Sequence, residues 1–346
     1  MRVVLADGSI KEFSPTNADP EESESFHAFQ IHAGALGIIT QVTLACEPQI
    51  CYRVEKEITD FDMLLKSFQS WNEAADHCKA WWFPSTDHVQ LWRGYKASPV
   101  DEERYRANGS NMVVLEGSGI GSGGGLLGSR TGLFKSSIDD LLHIMKSDTG
   151  GNDDSKAKTD FEAARFQTVT RFRSLQSCIG NIYQLWCKGI PAPQVNCEIA
   201  VPLSALTAVL VQLKQYYRSK MEGEGLEMHY PFILRATGSS RAWLSPAHNE
   251  PVCYIGFLVY LSEDQITADP SHLGFKHSQE KLKLLSDIEA AIAGSHSKCV
   301  PHLGKFFTPR LYRPWGKWSQ FRALMLKLDP FGIFRNKFIE GLFLHQ

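Results

Sequence analysis

The alternation of apolar residues constrains this chain more than any other feature. Runs with an apolar residue at every second position recur from end to end: RVVLA and SIKEF around Asp7-Gly8, QICYRVEKEITD at 49–60, CKAWWFP and DHVQLWRGY around Ser85-Thr86-Asp87. CEIAVP, PFILRAT and VCYIGFLVYL continue the series. Period-two alternation is the signature of strands, and Asp-Gly between two such runs is a hairpin turn. Helical spacing separates the strands. ADPEESESFHAFQIH at 18–32 offers Asp19 as N-cap and Pro20 in the first turn. Residues 61–75 repeat Phe61, Leu64, Leu65, Phe68 and Trp71, and further helices are expected at 204–221, 278–295 and about 316–328. Strand–helix–strand–strand units predict an α+β fold: one large antiparallel sheet with helices on one side.

With 346 residues, 43% hydrophobic and 21% charged, the chain has room for about two domains and is not expected to be disordered. A net charge of −2 supplies no global field for nucleic acid. No apolar run approaches the roughly 18 residues of a membrane-spanning helix, so none is expected. MRVVLADGSIKEF lacks the apolar core of a signal peptide. The eight cysteines, Cys46, Cys51, Cys78, Cys178, Cys187, Cys197, Cys253 and Cys299, form no CxxC pair and read mainly as reduced core thiols. His272 and His277 stand five apart, which misses the four-residue step that puts two helical ligands on one face, so no metal is expected. No GxSxG elbow occurs.

Residues 97–160 break the pattern: charged, then GSGIGSGGGLLGS, then KSDTGGNDDSKAK. Gly119, Gly121 and Gly124 satisfy GxGxxG after the strand-like NMVVLE, with Asp139 and Asp140 downstream. A dinucleotide fingerprint needs a helix to begin at its third glycine. Gly123–Gly125 disfavour that start, each costing about 1 kcal/mol relative to Ala. The stretch reads as an insertion.

Five blocks, taken in order, carry a family resemblance. GALGIITQVTLACEP resembles the end of the flavin domain in vanillyl-alcohol-oxidase-type proteins. WWFPST, AWLSPAHNEPVCYIGFLVY, VPHLGK and LDPFGIFRNKF resemble blocks of the sugar-1,4-lactone oxidases, the family of D-arabinono-1,4-lactone and L-gulonolactone oxidase. The resemblance implies an FAD-dependent enzyme that oxidises an aldono-1,4-lactone, with dioxygen or a cytochrome as electron acceptor, in ascorbate-type biosynthesis. It implies a flavin-domain remnant at 1–48, a cap domain at 49–300 with the insertion at about 97–160, and a C-terminal active-site segment at 301–346. The family's glycine-rich pyrophosphate loop and flavin-linked histidine precede this region. The chain is therefore expected to act as part of a longer enzyme, or else as a non-catalytic cap protein binding a sugar acid or a protein partner. Relatives are often mitochondrial or membrane-associated, so an intracellular, peripheral membrane location is an expectation too.

By the same resemblance, Lys305 in PHLGK is placed at substrate or flavin, and His302 is a hydrogen-bond donor or base. Arg235 in PFILRAT matches the arginine of an E-x-R strand, where Ile233 departs from the family's Glu. Glu198 in NCEIAVP fits a carboxylate position, although a strand Glu on a solvent face reads equally well. Gly34, Gly37 and Ile38 are the expected flavin contacts. Leu303 stands where relatives often have Trp. Gly256 and Leu258 replace polar groups. Trp81, Trp82, Trp92 and Trp243 read as packing residues.

Overall fold

A computed structural model describes residues 1–84, 87–116, 176–186, 194–224, 231–260 and 279–344. Near the N-terminus, β1 (Arg2–Val4) and β2 (Ile10–Glu12) form the hairpin, turning through Gly8 at φ +79°. Next come α1 (Pro20–Phe29), whose N-cap Asp19 accepts from the Glu21 N–H at 2.8 Å, and β3 (Ile38–Gln41). Then follow β4 (Cys51–Asp60), α2 (Phe61–Ala74), β5 (His77–Phe83), β6 (His88–Lys96), α3 (Pro99–Ala107) and β7 (Val113–Glu116). After them come β8 (Gln176–Asn181), α4 (Ile182–Trp186), β9 (Gln194–Pro202), α5 (Leu206–Glu224), β10 (Phe232–Thr237) and β11 (Val252–Tyr260). The chain ends with α6 (Gln279–Ser295), β12 (Val300–Pro301), α7 (Trp318–Leu328) and α8 (Lys337–Phe343).

The small sheet runs β2-β1-β3 and the large one β12-β9-β11-β10-β5-β6-β4-β8-β7, with antiparallel pairing between every named neighbour. Alternation decides what each face does. Ile199, Ile255, Leu234, Ala80 and Leu91 lie in one cross-strand row and are fully buried in the main core. The core-facing residues of α2 (Phe61, Leu64, Phe68) and α5 (Leu206, Leu210, Leu213) join the same core. Trp82 stacks on Phe232 at 5.3 Å and meets Phe61 at 4.6 Å. Each such buried side chain contributes about 1.5–3 kcal/mol.

The expectation of helices on one side needs one amendment. The short α4 lies on the opposite face, where Leu185 packs with Tyr52, Val54, Trp92 and Cys178. The start of the expected insertion is also structured: α3 packs Tyr105 on Cys51 and Ile179, and β7 is the sheet's edge strand. β7 pairs antiparallel with β8, which is not the parallel βαβ setting of a dinucleotide loop. Gly119, Gly121, Gly124, Asp139, Asp140, Cys187, His272 and His277 lie outside the described residues. Trp82, Trp92 and Trp243 are buried as packing residues, and Trp81 is half-buried.

Both ends of the chain meet. Glu24 of α1 accepts from the Trp243 indole at 3.0 Å and from Lys317, while the Trp243 N–H donates to His27 O at 3.1 Å. Beside this knot Gly316 turns with φ +57°, and a Cβ there would lie 2.1 Å from Trp243 O. Gly316→Ala is expected to cost about 2 kcal/mol or more through this clash and the left-handed conformation. Thermal unfolding tests it, and an unchanged midpoint would refute the close approach.

Candidate active site

The face away from the main helix layer carries Glu198 and Arg235. One cross-strand row reads Glu198, Gly256, Ile233, Trp81, Gln90, and the next Ala200, Tyr254, Arg235. Arg235 therefore starts two strands from Glu198, about 10 Å at ordinary strand spacing. Its guanidinium nonetheless donates to Glu198 Oε1. Gly256 leaves room between them: a Cβ there would lie 3.5 Å from Glu198 Oε1 and 3.7 Å from Ile233 Cβ. Any larger side chain would run into the bridge.

Lys305 arrives from the other side. Beyond β12 the chain lies along β9, with the His302 N–H donating to Glu198 O at 2.9 Å and the Phe306 N–H to Asn196 O at 2.8 Å. A tight turn between them, Lys305 N–H to His302 O at 3.0 Å, aims Lys305 Nζ at Glu198 Oε2, 2.6 Å away. Glu289 of α6 pins the segment from beneath. It is fully buried and accepts from the Thr308 N–H (2.7 Å), the Thr308 hydroxyl (2.8 Å) and the Tyr312 hydroxyl (2.9 Å). Burial, then the Glu289 charge, pushes the Tyr312 phenol up, so it stays a donor.

Glu198 is 3% exposed, whereas the Arg235 and Lys305 side chains are 48% and 27% exposed. One carboxylate between two cations leaves a local excess of positive charge that faces outward. Burial would raise the Glu198 carboxyl, but Arg235 and then Lys305 outweigh it and hold the acid below the ordinary range. Burial also pushes up the Cys197 and Cys253 thiols and the Tyr254 phenol, with Cys78 pushed up to about 12. Cys46 alone among the described cysteines is exposed.

The structure thus gathers Lys305, Arg235 and Glu198, and overturns the solvent-face reading of Glu198. His302 lies alongside as a backbone anchor, its Nδ1 accepting from the Gly304 N–H at 3.1 Å. That bond leaves Nε2 as the ring nitrogen without a backbone contact of its own among the described residues. Ile233 adjoins the cluster and is half-buried, and Leu303 packs against the core. Gly34, Gly37 and Ile38 stand apart: among the described residues no hydrogen bond or ion pair joins them to Glu198, Arg235 or Lys305. Gly37 (φ +152°) is glycine for the fold's own reason, since a Cβ would lie 2.7 Å from Val3 Cγ1 and 2.8 Å from Val4 O. Gly34 is open, and Ile38 is 57% exposed. Glu289 escaped the sequence reading, although it shares the buried stripe of Leu285 and Ile292, where a carboxylate needs partners. Among the described residues no three His, Cys, Asp or Glu side chains gather as a metal site.

Solved structures share the fold: the His121Ala mutant of cholesterol oxidase from Brevibacterium sterolicum (TM-score 0.64, 11% identity) covers 99% of this chain and 68% of its own. A solvent-stable cholesterol oxidase gives TM-score 0.58 at 16% identity, over 99% of this chain and 69% of its own. Residues 42–117 and 158–342 match the family described as D-arabinono-1,4-lactone oxidase, and the chain belongs to that family. D-arabinono-1,4-lactone oxidases of Candida albicans and Debaryomyces hansenii are 32% and 33% identical to it over 90 residues. Each match covers 26% of this chain and 16% of the relative, well short of two thirds of the relative's length.

The family is FAD-dependent, and the site suits that cofactor where it shows a partly exposed cationic cluster, able to face negative charge on a reduced flavin. Lys305 and Arg235 are the residues that fit, with Gly34 and Ile38 accessible and Gly37 committed to β1.

The lowered Glu198 acid stabilises the fold above the ordinary carboxylate range, and that contribution fades as pH falls through its depressed value. Glu198→Gln is expected to cost roughly 1–3 kcal/mol near neutral pH, discounted because the two cations can turn toward water. It should also flatten the acid limb of the stability profile. Urea unfolding across pH checks both, and parallel profiles for the two proteins would count against the pairing.

Proposed function

We propose that this chain supplies the substrate side of an FAD-dependent oxidation of an aldono-1,4-lactone, of the D-arabinono-1,4-lactone type. The observation that carries the reading is the buried Glu198 carboxylate, held by two cations that still reach solvent. Bound FAD would supply the hydride-accepting chemistry. Arg235 and Lys305 bind the lactone's oxygens and favour the alkoxide that forms as the hydroxyl ionises. Glu198 keeps both cations aimed. Its remaining lone pairs accept the hydroxyl proton, a transfer favourable only as hydride leaves, because the acid is weakly basic. His302 donates from Nε2. Ile233 can neither accept a substrate hydroxyl nor pair with Arg235, so Glu198 takes over the acidic role that the family's E-x-R strand would place there.

Among the described residues no helix is long and apolar enough to cross a membrane. Dioxygen and a cytochrome are the two acceptors consistent with the family's chemistry.

The test is anaerobic mixing of the FAD-loaded enzyme with D-arabinono-1,4-lactone, following the loss of visible flavin absorbance. Lys305→Ala is expected to slow this step about 100- to 1,000-fold. Activity should fall on the acid side only below the ordinary carboxylate range, where Glu198 protonates. Unchanged bleaching in Lys305→Ala would defeat the assignment, as would a lactone that never bleaches the flavin.

A further inference from the structure

Away from the Glu198 cluster, the segment 308–314 and helices α7 and α8 enclose a cleft of about 1110 Å³. That is slightly above the usual range of small-molecule sites, about 300–1,000 Å³. Arg310, Arg313 and Arg322 line it, with the Ser319 hydroxyl and an apolar wall that includes Trp318 and Leu326. No acidic residue is among the lining residues.

Four exposed arginines elsewhere differ in this respect. Arg104, Arg106, Arg218 and Arg241 each lie within 4.0 Å of a carboxylate. None of Arg310, Arg313 and Arg322 has such a partner among the described residues. Three like charges around one cleft repel one another, and an anion between them would remove that cost. Guanidinium forks match the oxygens of phosphate in paired hydrogen bonds, and a phosphate can engage more than one fork, which a carboxylate does less well. The volume and the apolar wall leave space for a body attached to that group.

We propose that this cleft is a binding site for a phosphate-bearing anion, separate from the Glu198 cluster. The bound phosphate bridges Arg310 and Arg313, which follow Lys305 in the chain, to Arg322 on α7. The ligand comes either from solution or from a phospholipid headgroup, and one experiment distinguishes them.

Purified chain is titrated with inorganic pyrophosphate by calorimetry, and separately sedimented with phosphatidylcholine vesicles with and without phosphatidic acid, all at physiological ionic strength. Saturable binding is expected in at least one arm: pyrophosphate binding identifies a soluble ligand, and capture only by phosphatidic acid vesicles identifies the headgroup. Replacing Arg310, Arg313 and Arg322 together with Gln should weaken that binding by more than about tenfold. The same replacement of Arg104, Arg106 and Arg218 should leave it unchanged. Gly341 lines the cleft and has nothing within 4 Å of a built Cβ, so Gly341→Leu supplies a charge-neutral variant that narrows it and should also weaken binding. Melting curves confirm that each variant folds, and the single Arg322→Gln serves if the triple variant does not. The proposal is overturned by no saturable binding in either arm, by equal loss in both arginine sets, or by no loss in the cleft variants.

Discussion

A carboxylate that is almost wholly buried cannot stand alone, because leaving its charge unpaired costs several kcal/mol. Glu198 meets that demand with partners from two distant parts of the chain, Arg235 and Lys305. Much of the surrounding architecture follows from it. β10 must be in the register that turns Arg235, and not Leu234, to the open face. Position 256 must keep a small residue between them. The segment after β12 must run along β9 far enough to deliver Lys305, and Glu289 must hold the far end of that segment.

The elements were largely legible in the sequence because they rest on local rules. α2 begins where Asp60 caps it, accepting from the Met63 N–H at 2.8 Å, and its apolar stripe is the buried one. β4, β9 and β11 follow their alternation. What could not be read is what lies next to what. GIITQVTLACEP alternates well enough for a long strand, yet β3 is only Ile38–Gln41, because its partner β1 is three residues long. Lys305, Arg235 and Glu198 could each be singled out, but a strand glutamate looks the same on a wet face and on a buried one until its cross-strand neighbours are known. Gly37 shows that a glycine singled out for a ligand can also serve the fold, since a Cβ there would meet Val3 and Val4 of the same chain.

The two ends of the chain are less separate in space than in sequence. Glu24 ties α1 to the turn at Trp243 and to Lys317 before α7, and burial of Phe29, Trp315, Phe321 and Phe343 in the core shared with the large sheet makes the small sheet and the C-terminal helices depend on one another. The core that supports β9 from below thus extends to the segments at both termini.

β7 and β8 pair with each other at the end of the sheet, Glu116 opposite Ser177, so the two ends of the stretch between them are fixed side by side. Those anchor points are about one strand spacing apart whatever lies between them. Closing a longer excursion costs only about 0.6 kcal/mol for each doubling of its length. The margin at β7 is the end of the sheet farthest from Glu198, so a change in the length of the connection is expected to leave the residues of the cluster in place.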